Sequence, residues 1–154
     1  MTSTMRAAVM TAPGEGLVVE TLRLPEPKAG EVRLRVAASG VCHTDLHVLK
    51  GEVVFPSPGV LGHEVSGIVD AIGPGVVDIA VGDRVVSSFI MPCGKCRHCV
   101  RGLEDLCERF FQHNRLKGHL YDGTTRLFRE DGEPIAMYSM GGMAEYCIVP
   151  DTDV

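Results

Sequence analysis

A mainly β fold is what this 154-residue sequence predicts: an antiparallel barrel, closed or partly closed, with a few short helices. Three observations carry that expectation. The 18 glycines and 9 prolines make up about a sixth of the chain, against roughly an eighth on average, so turns come at short intervals. Between the turns lie apolar runs of strand length, with no strand–helix–strand alternation. Four of the 6 cysteines then fall between positions 93 and 107, which marks a loop built around a metal rather than a disulfide scaffold.

The elements follow in order. Met5–Met10 is a short apolar run ended by Thr11-Ala12-Pro13-Gly14, and Leu17–Leu22 is a β-branched run that stops before Pro25 and Pro27. Glu31–Val36 alternates, with Val32, Leu34 and Val36 on one face and Glu31, Arg33 and Arg35 on the other, the period of a half-buried strand. Cys42–Lys50 lacks that alternation; bounded by Gly40 and Gly51, it reads as a short helix capped at Thr44-Asp45. Pro56–Gly59 is a loop, Glu64–Ile72 a strand, Gly73-Pro74-Gly75 and Gly82-Asp83 turns, Arg84–Ile90 a strand and Ala144–Val149 the last strand. From about Phe110 to Met143 the signals weaken, and turns in long loops are expected at 123–126 and 130–134.

Composition excludes several function classes. A net charge of -5 and a pI near 5.6 oppose a nucleic-acid or anionic-membrane partner. No apolar run approaches the roughly 18 residues of a membrane helix. The start, Met-Thr-Ser-Thr-Met-Arg, has no basic stretch leading into an apolar one, so no secretion signal is read and a cytoplasmic location is expected.

The cysteine spacing is C-x2-C-x2-C-x7-C, through Cys93, Cys96, Cys99 and Cys107. Two tight turns and one longer step fold four thiolates onto one point, and tetrahedral all-thiolate coordination suits a structural zinc. Lys95, Arg97 and Arg101 would offset the net charge of such a site. Rival readings are an iron–sulfur cluster, disfavoured because bacterial ferredoxins close with C-x3-C-P, a redox dithiol, and unrelated free cysteines. His98 is a substitute ligand or a solvated loop residue; four sulfurs already fill the shell.

Upstream the chain reads Gly40-Val-Cys42-His43-Thr44-Asp45-Leu-His47 and then Gly62-His63-Glu64-Val65-Ser66-Gly67. With Gly82-Asp83-Arg84-Val85, the cysteine lobe and Ala144-Glu145-Tyr146, these motifs resemble the zinc-dependent alcohol dehydrogenases of the medium-chain dehydrogenase/reductase family, over essentially the whole chain. The resemblance implies a GroES-like catalytic domain over residues 1–154, a partly open β-barrel with a zinc-binding loop lobe at about 91–110. It implies that Cys42 and His63 are ligands of a catalytic zinc and that Asp45 hydrogen-bonds the ligating imidazole. Glu64 resembles an acid that approaches the metal, with a buried structural acid paired to a distant Arg as the alternative. Thr44 is implied to take the alcohol's proton and His47 to hand it to solvent. His43 is implied to face the pyrophosphate of NAD(P), or else to be an exposed loop histidine.

The sequence departs from that family in one respect. The G-x-G-x-x-G fingerprint of a dinucleotide-binding domain is absent, and Gly73-Pro74-Gly75 lacks the third glycine and the helix start it needs. The family's third catalytic-zinc ligand and its nucleotide domain lie beyond the stretch that ends at Val154, leaving the catalytic zinc site incomplete. Cys147 sits in a strand and is read as a buried core residue. Two expectations stand. One is a catalytic-domain portion of an alcohol dehydrogenase, acting on an alcohol or aldehyde but inactive by itself. The other is a stand-alone zinc module with a structural or interaction role. A nucleic-acid-binding zinc ribbon is disfavoured by acidity and few aromatics, and the oligomeric state stays open.

Overall fold

The computed structural model describes residues 3–154. Nine strands form two sheets: β1 (Thr4–Met10), β2 (Leu17–Arg23), β3 (Glu31–Ser39), β4 (Gly59–Val60), β5 (Val65–Ile72), β6 (Arg84–Ser87), β7 (Leu127–Phe128), β8 (Pro134–Met137) and β9 (Tyr146–Pro150). The first sheet runs β2-β1-β4-β8-β7 and the second β6-β5-β3-β9. An isolated bridge between Leu22 and Arg129 brings the outer edges of the first sheet together without a continuous ladder, so the barrel is partly open. Backbone bonds from Ala8 to Met143 (2.8 Å), Glu145 to Arg6 (3.0 Å) and Val36 to Glu145 (3.0 Å) tie the two sheets together.

The alternation read in β3 places Val32 and Leu34 in the core, opposite Val149 and Cys147 of β9. Cys147 is fully buried, as a core residue should be. Glu31, expected on the polar face, is buried instead. Its carboxylate accepts from Arg126 Nε (2.9 Å) and Nη2 and from the Lys28 backbone N–H (2.9 Å), so the buried charge is paired on every side. Leu17, Val18 and Val19 of β2 are exposed, and Leu22 alone of that strand is fully buried.

Three corrections follow. The pair β4–β8 is parallel, so the barrel is not wholly antiparallel. The strand expected over Arg84–Ile90 ends at Ser87, where the chain turns toward the cysteine lobe. The stretch read as loops from Phe110 contains a π-helical segment, Phe110–Arg115, and the short strands β7 and β8. Strands of two to four residues carry too few positions for a period to show. The π-helical segment places Asn114 in the interior, where its amide donates to the carbonyls of Met137 (3.2 Å) and Ser139 (2.8 Å) and accepts from the Ser139 N–H (2.8 Å). That clamp holds Ser139 at φ 53 and so fixes Tyr138 beside the site described next. Among the described residues no helix is long and apolar enough to cross a membrane.

Candidate metal centres

The helix α1 (His43–Leu49) follows β3 across Gly40, and its N-cap is Cys42 rather than Thr44-Asp45. Asp45, at the third helical position, reaches back and accepts from the Cys42 N–H (3.0 Å), which fixes the Cys42 side chain at the mouth of a cleft of about 590 Å³. The other oxygen of Asp45 accepts from the Gly62 N–H (3.2 Å) and lies 3.4 Å from His63 Nδ1. One fully buried carboxylate thus ties α1 to the segment that carries His63. Burial opposes its ionisation, but the His63 ring and the two backbone donors outweigh that and hold its pKa below the usual value.

Cys42, His63 and Glu64 offer ligand atoms that all lie within 4.8 Å of one another. His63 is buried, its Nε2 is 4.0 Å from Glu64 Oε1, and its Nδ1 has no aligned hydrogen-bond partner. With Asp45 on the Nδ1 side, Nε2 is the nitrogen free for a metal. The Thr44 hydroxyl, 3.5 Å from Cys42 Sγ, is the largest cause of a thiol pKa lowered from its ordinary value. A thiolate, an imidazole and a carboxylate around one cleft fit zinc. Glu64 is exposed among these residues, and a Cβ on Gly40 would meet its Oε2 at 2.2 Å and its Cβ at 2.9 Å, so the glycine leaves it room.

The aromatic wall was not legible in the sequence. Phe89 packs its ring 4.5 Å from that of His63, and Tyr138 lies at 5.6 Å, edge on. On α1, His43 is exposed and its ring is 5.3 Å from that of His47, whose Nδ1 contacts Glu52. Glu52 also escaped the sequence reading, although its place just after Gly51, at the helix end, was a usable signal.

Cys93, Cys96, Cys99 and Cys107 are buried, free of disulfides, and have all four sulfurs within 4.8 Å of one another. Cys96 and Cys99 are 3.5 Å apart, and Cys93 and Cys99 4.0 Å. A tetrahedron with Zn–S of about 2.3 Å has edges of about 3.8 Å, close to these two separations, so the set fits zinc. Two 3₁₀ turns, Cys99–Arg101 and Glu104–Leu106, fold the seven-residue step back on itself. A backbone N–H from Cys99 pulls the Cys96 thiol down to about 6, while burial pushes Cys99 up to about 12 and raises Cys107. With Cys99 and Cys107 pushed up, the four thiols all lose their protons only around a cation. Of the expected cations, Arg97 pairs with Glu108 at 3.2 Å. His98 stands outside the sulfur set, half-buried, with Nδ1 unpartnered.

Comparison with known proteins agrees with this architecture. A family model described as the alcohol dehydrogenase GroES-like domain matches residues 28–154. An NDMA-dependent alcohol dehydrogenase of Amycolatopsis methanolica is 37% identical over 97% of this chain and 40% of its own length. An S-(hydroxymethyl)glutathione dehydrogenase of Aspergillus oryzae is 37% identical over 97% and 39%. Among solved structures, an alcohol dehydrogenase zinc-binding domain protein from Burkholderia ambifaria superposes with a TM-score of 0.89 at 38% identity, covering 98% of this chain and 41% of that one. A benzyl alcohol dehydrogenase from Acinetobacter calcoaceticus gives 0.85 at 36% identity, covering 97% and 40%. The chain therefore spans about 40% of the length of these relatives.

Proposed function

The chain belongs to the alcohol dehydrogenase GroES-like domain family, and from that membership we propose that it is the catalytic-domain portion of a zinc-dependent alcohol dehydrogenase. The reaction is oxidation of an alcohol to an aldehyde or ketone with NAD or NADP. The observation that carries this reading is the convergence of Cys42, His63 and Glu64 on one cleft beside Thr44. Zinc bound there supplies a Lewis acid that lowers the pKa of the alcohol.

The chain's own residues then divide the work. Cys42 and His63 supply the thiolate and the imidazole, and Asp45 holds the imidazole ring with its Nε2 facing the cleft. Glu64 is the third group within these residues; in the family a further cysteine completes the set. The Thr44 hydroxyl receives the alcohol's proton, and His47 passes it to solvent. His43, at the exposed start of α1, faces the cofactor's pyrophosphate. Phe89 lines the cleft and excludes water from its apolar side, while Tyr138 is buried against the His63 ring. Cys93, Cys96, Cys99 and Cys107 hold a structural zinc, and residues 1–154 form one catalytic domain that works with a nucleotide-binding domain on the same polypeptide, in the cytoplasm.

In the longer protein, Cys42→Ser and His63→Ala are expected to abolish alcohol oxidation and to lower zinc content by one equivalent. Unchanged rates in both would remove this site from the reaction. A second reading, a zinc-binding structural or interaction module without redox turnover, is favoured by one observation. The four-cysteine set is complete here, whereas the Cys42 set has three candidate ligands. Alcohol oxidation by the longer protein decides between them.

A further inference from the structure

The C-terminal end of α1 contains a pairing that the reading above does not use. The Gly51 N–H bonds to the Val48 carbonyl (3.0 Å) and the Glu52 N–H to the His47 carbonyl (2.9 Å). Those two bonds are the Schellman arrangement, with Gly51 at the left-handed position, φ 74. This closure brings the residue after the glycine against the residue three places before the helix end. That contact is usually apolar. Here it joins His47 Nδ1 to a carboxylate oxygen of Glu52, with both side chains about half exposed. The contact is set by the backbone and does not depend on two long side chains finding each other in solvent.

We propose that Glu52 is a positioning residue for proton release, forming with His47 a carboxylate–imidazole pair at the outer end of the relay; this rests on the reading of His47 given above. The carboxylate holds the ring hydrogen on Nδ1, which leaves the Nε2 lone pair free to accept a proton. When Nε2 accepts one proton, the imidazolium is stabilised by the facing carboxylate. The same proton then leaves Nε2 for water, so one enters and one leaves and Glu52 stays ionised throughout. Its pKa is lowered, chiefly by its bond to His47. The other titratable groups near the pair are His43 on α1, whose ring is 5.3 Å from that of His47, and Lys50 at its C-cap. The loop packed on the helix end through the Gly14 N–H and Leu49 carbonyl carries Glu15, which is held by Thr11.

The test is Glu52→Gln, read first by nitrogen-15 NMR of the His47 ring in the zinc-loaded 154-residue chain. The expected result is a roughly two- to fivefold fall in the proton affinity of His47, the range for an exposed ion pair. The neutral ring is also expected to lose its preference for hydrogen on Nδ1, and Glu52→Asp is expected to restore part of both effects. Unchanged His47 titration and tautomer in Glu52→Gln would overturn the pairing. In the longer protein, the acidic limb of the kcat–pH profile for alcohol oxidation is expected to move to lower pH by the same factor, with the KM for alcohol unchanged. An unmoved limb beside a changed NMR titration would overturn the role in proton release. Absence of any alcohol oxidation by the longer protein would instead overturn the function proposed for the site, and the relay with it.

Discussion

Replacing Asp45 with Asn tests whether one buried carboxylate holds the Cys42 site together. Each Asp45 oxygen accepts a backbone N–H, from Cys42 at 3.0 Å and from Gly62 at 3.2 Å, and the side chain is fully buried. An amide offers one oxygen, so one bond becomes an ordinary neutral bond and the other sets an NH2 against an N–H. Bonds to a charged acceptor are worth about 1.5–3 kcal/mol and an orphaned buried donor costs about 1–3 kcal/mol. With part of this offset by no longer burying a charge, the net loss is about 3 kcal/mol. For a chain of this size that is roughly 6–12 °C in Tm. The assay is urea and thermal unfolding of wild type and Asp45→Asn at pH 7, both after mild chelation that leaves only the four-cysteine zinc. Because the folded pKa of Asp45 is lowered, its contribution is fully present above the unfolded value of 3.8 and is lost as pH falls through the lower folded value. The difference between the two proteins should therefore shrink below about pH 4. A change under about 1 kcal/mol at pH 7, or a difference that grows in acid, would refute the reasoning.

Four further outcomes are expected. Elemental analysis after dialysis should find zinc in the wild-type chain and its loss from Cys93→Ser and Cys107→Ser, with visible loosening of the lobe, since structural zinc contributes about 10–16 kcal/mol in small peptides; iron, or undiminished zinc in both variants, refutes the four-thiolate site. Mild chelation of the 154-residue chain should leave one zinc, because three candidate ligands at an open cleft hold metal poorly; two resistant zincs would make Glu64 a full ligand. The chain by itself should not oxidise alcohols, because hydride transfer needs reacting carbons held within about 3–3.5 Å; in the longer protein Thr44→Ala should keep its zinc and lose most of the rate, and His47→Gln should lose less, most at low pH, as steady-state rates with zinc content will show. Arg126→Met should cost about 3–5 kcal/mol in urea unfolding by leaving Glu31 buried without its partner, and a loss below 1 kcal/mol would mean that water reaches the carboxylate.

The sequence by itself determined what depends on short spans. Two x2 steps and an x7 step bring four sulfurs together because turns of that length close locally, and the sulfurs do lie within 4.8 Å. The period of two in β3 placed Val32 and Leu34 inward because successive strand side chains face opposite ways. Tertiary structure decided what depends on distant partners. Glu31 looked like a surface residue until Arg126, 95 positions away, met it in the interior. The strands β4 and β8 are too short to show a period, and they pair in parallel only because the sheet around them is already built. Phe89 and Tyr138 carry no motif; they line the His63 ring because the Asn114 clamp and the turn after β6 put them there. Cys42 and His63 are joined through Asp45, which bonds to both backbone segments at once. Local spacing fixes geometry wherever a few backbone dihedrals suffice. Across longer separations the partner is chosen by which faces must leave water and which buried charges must be paired, and that is a property of the assembled core.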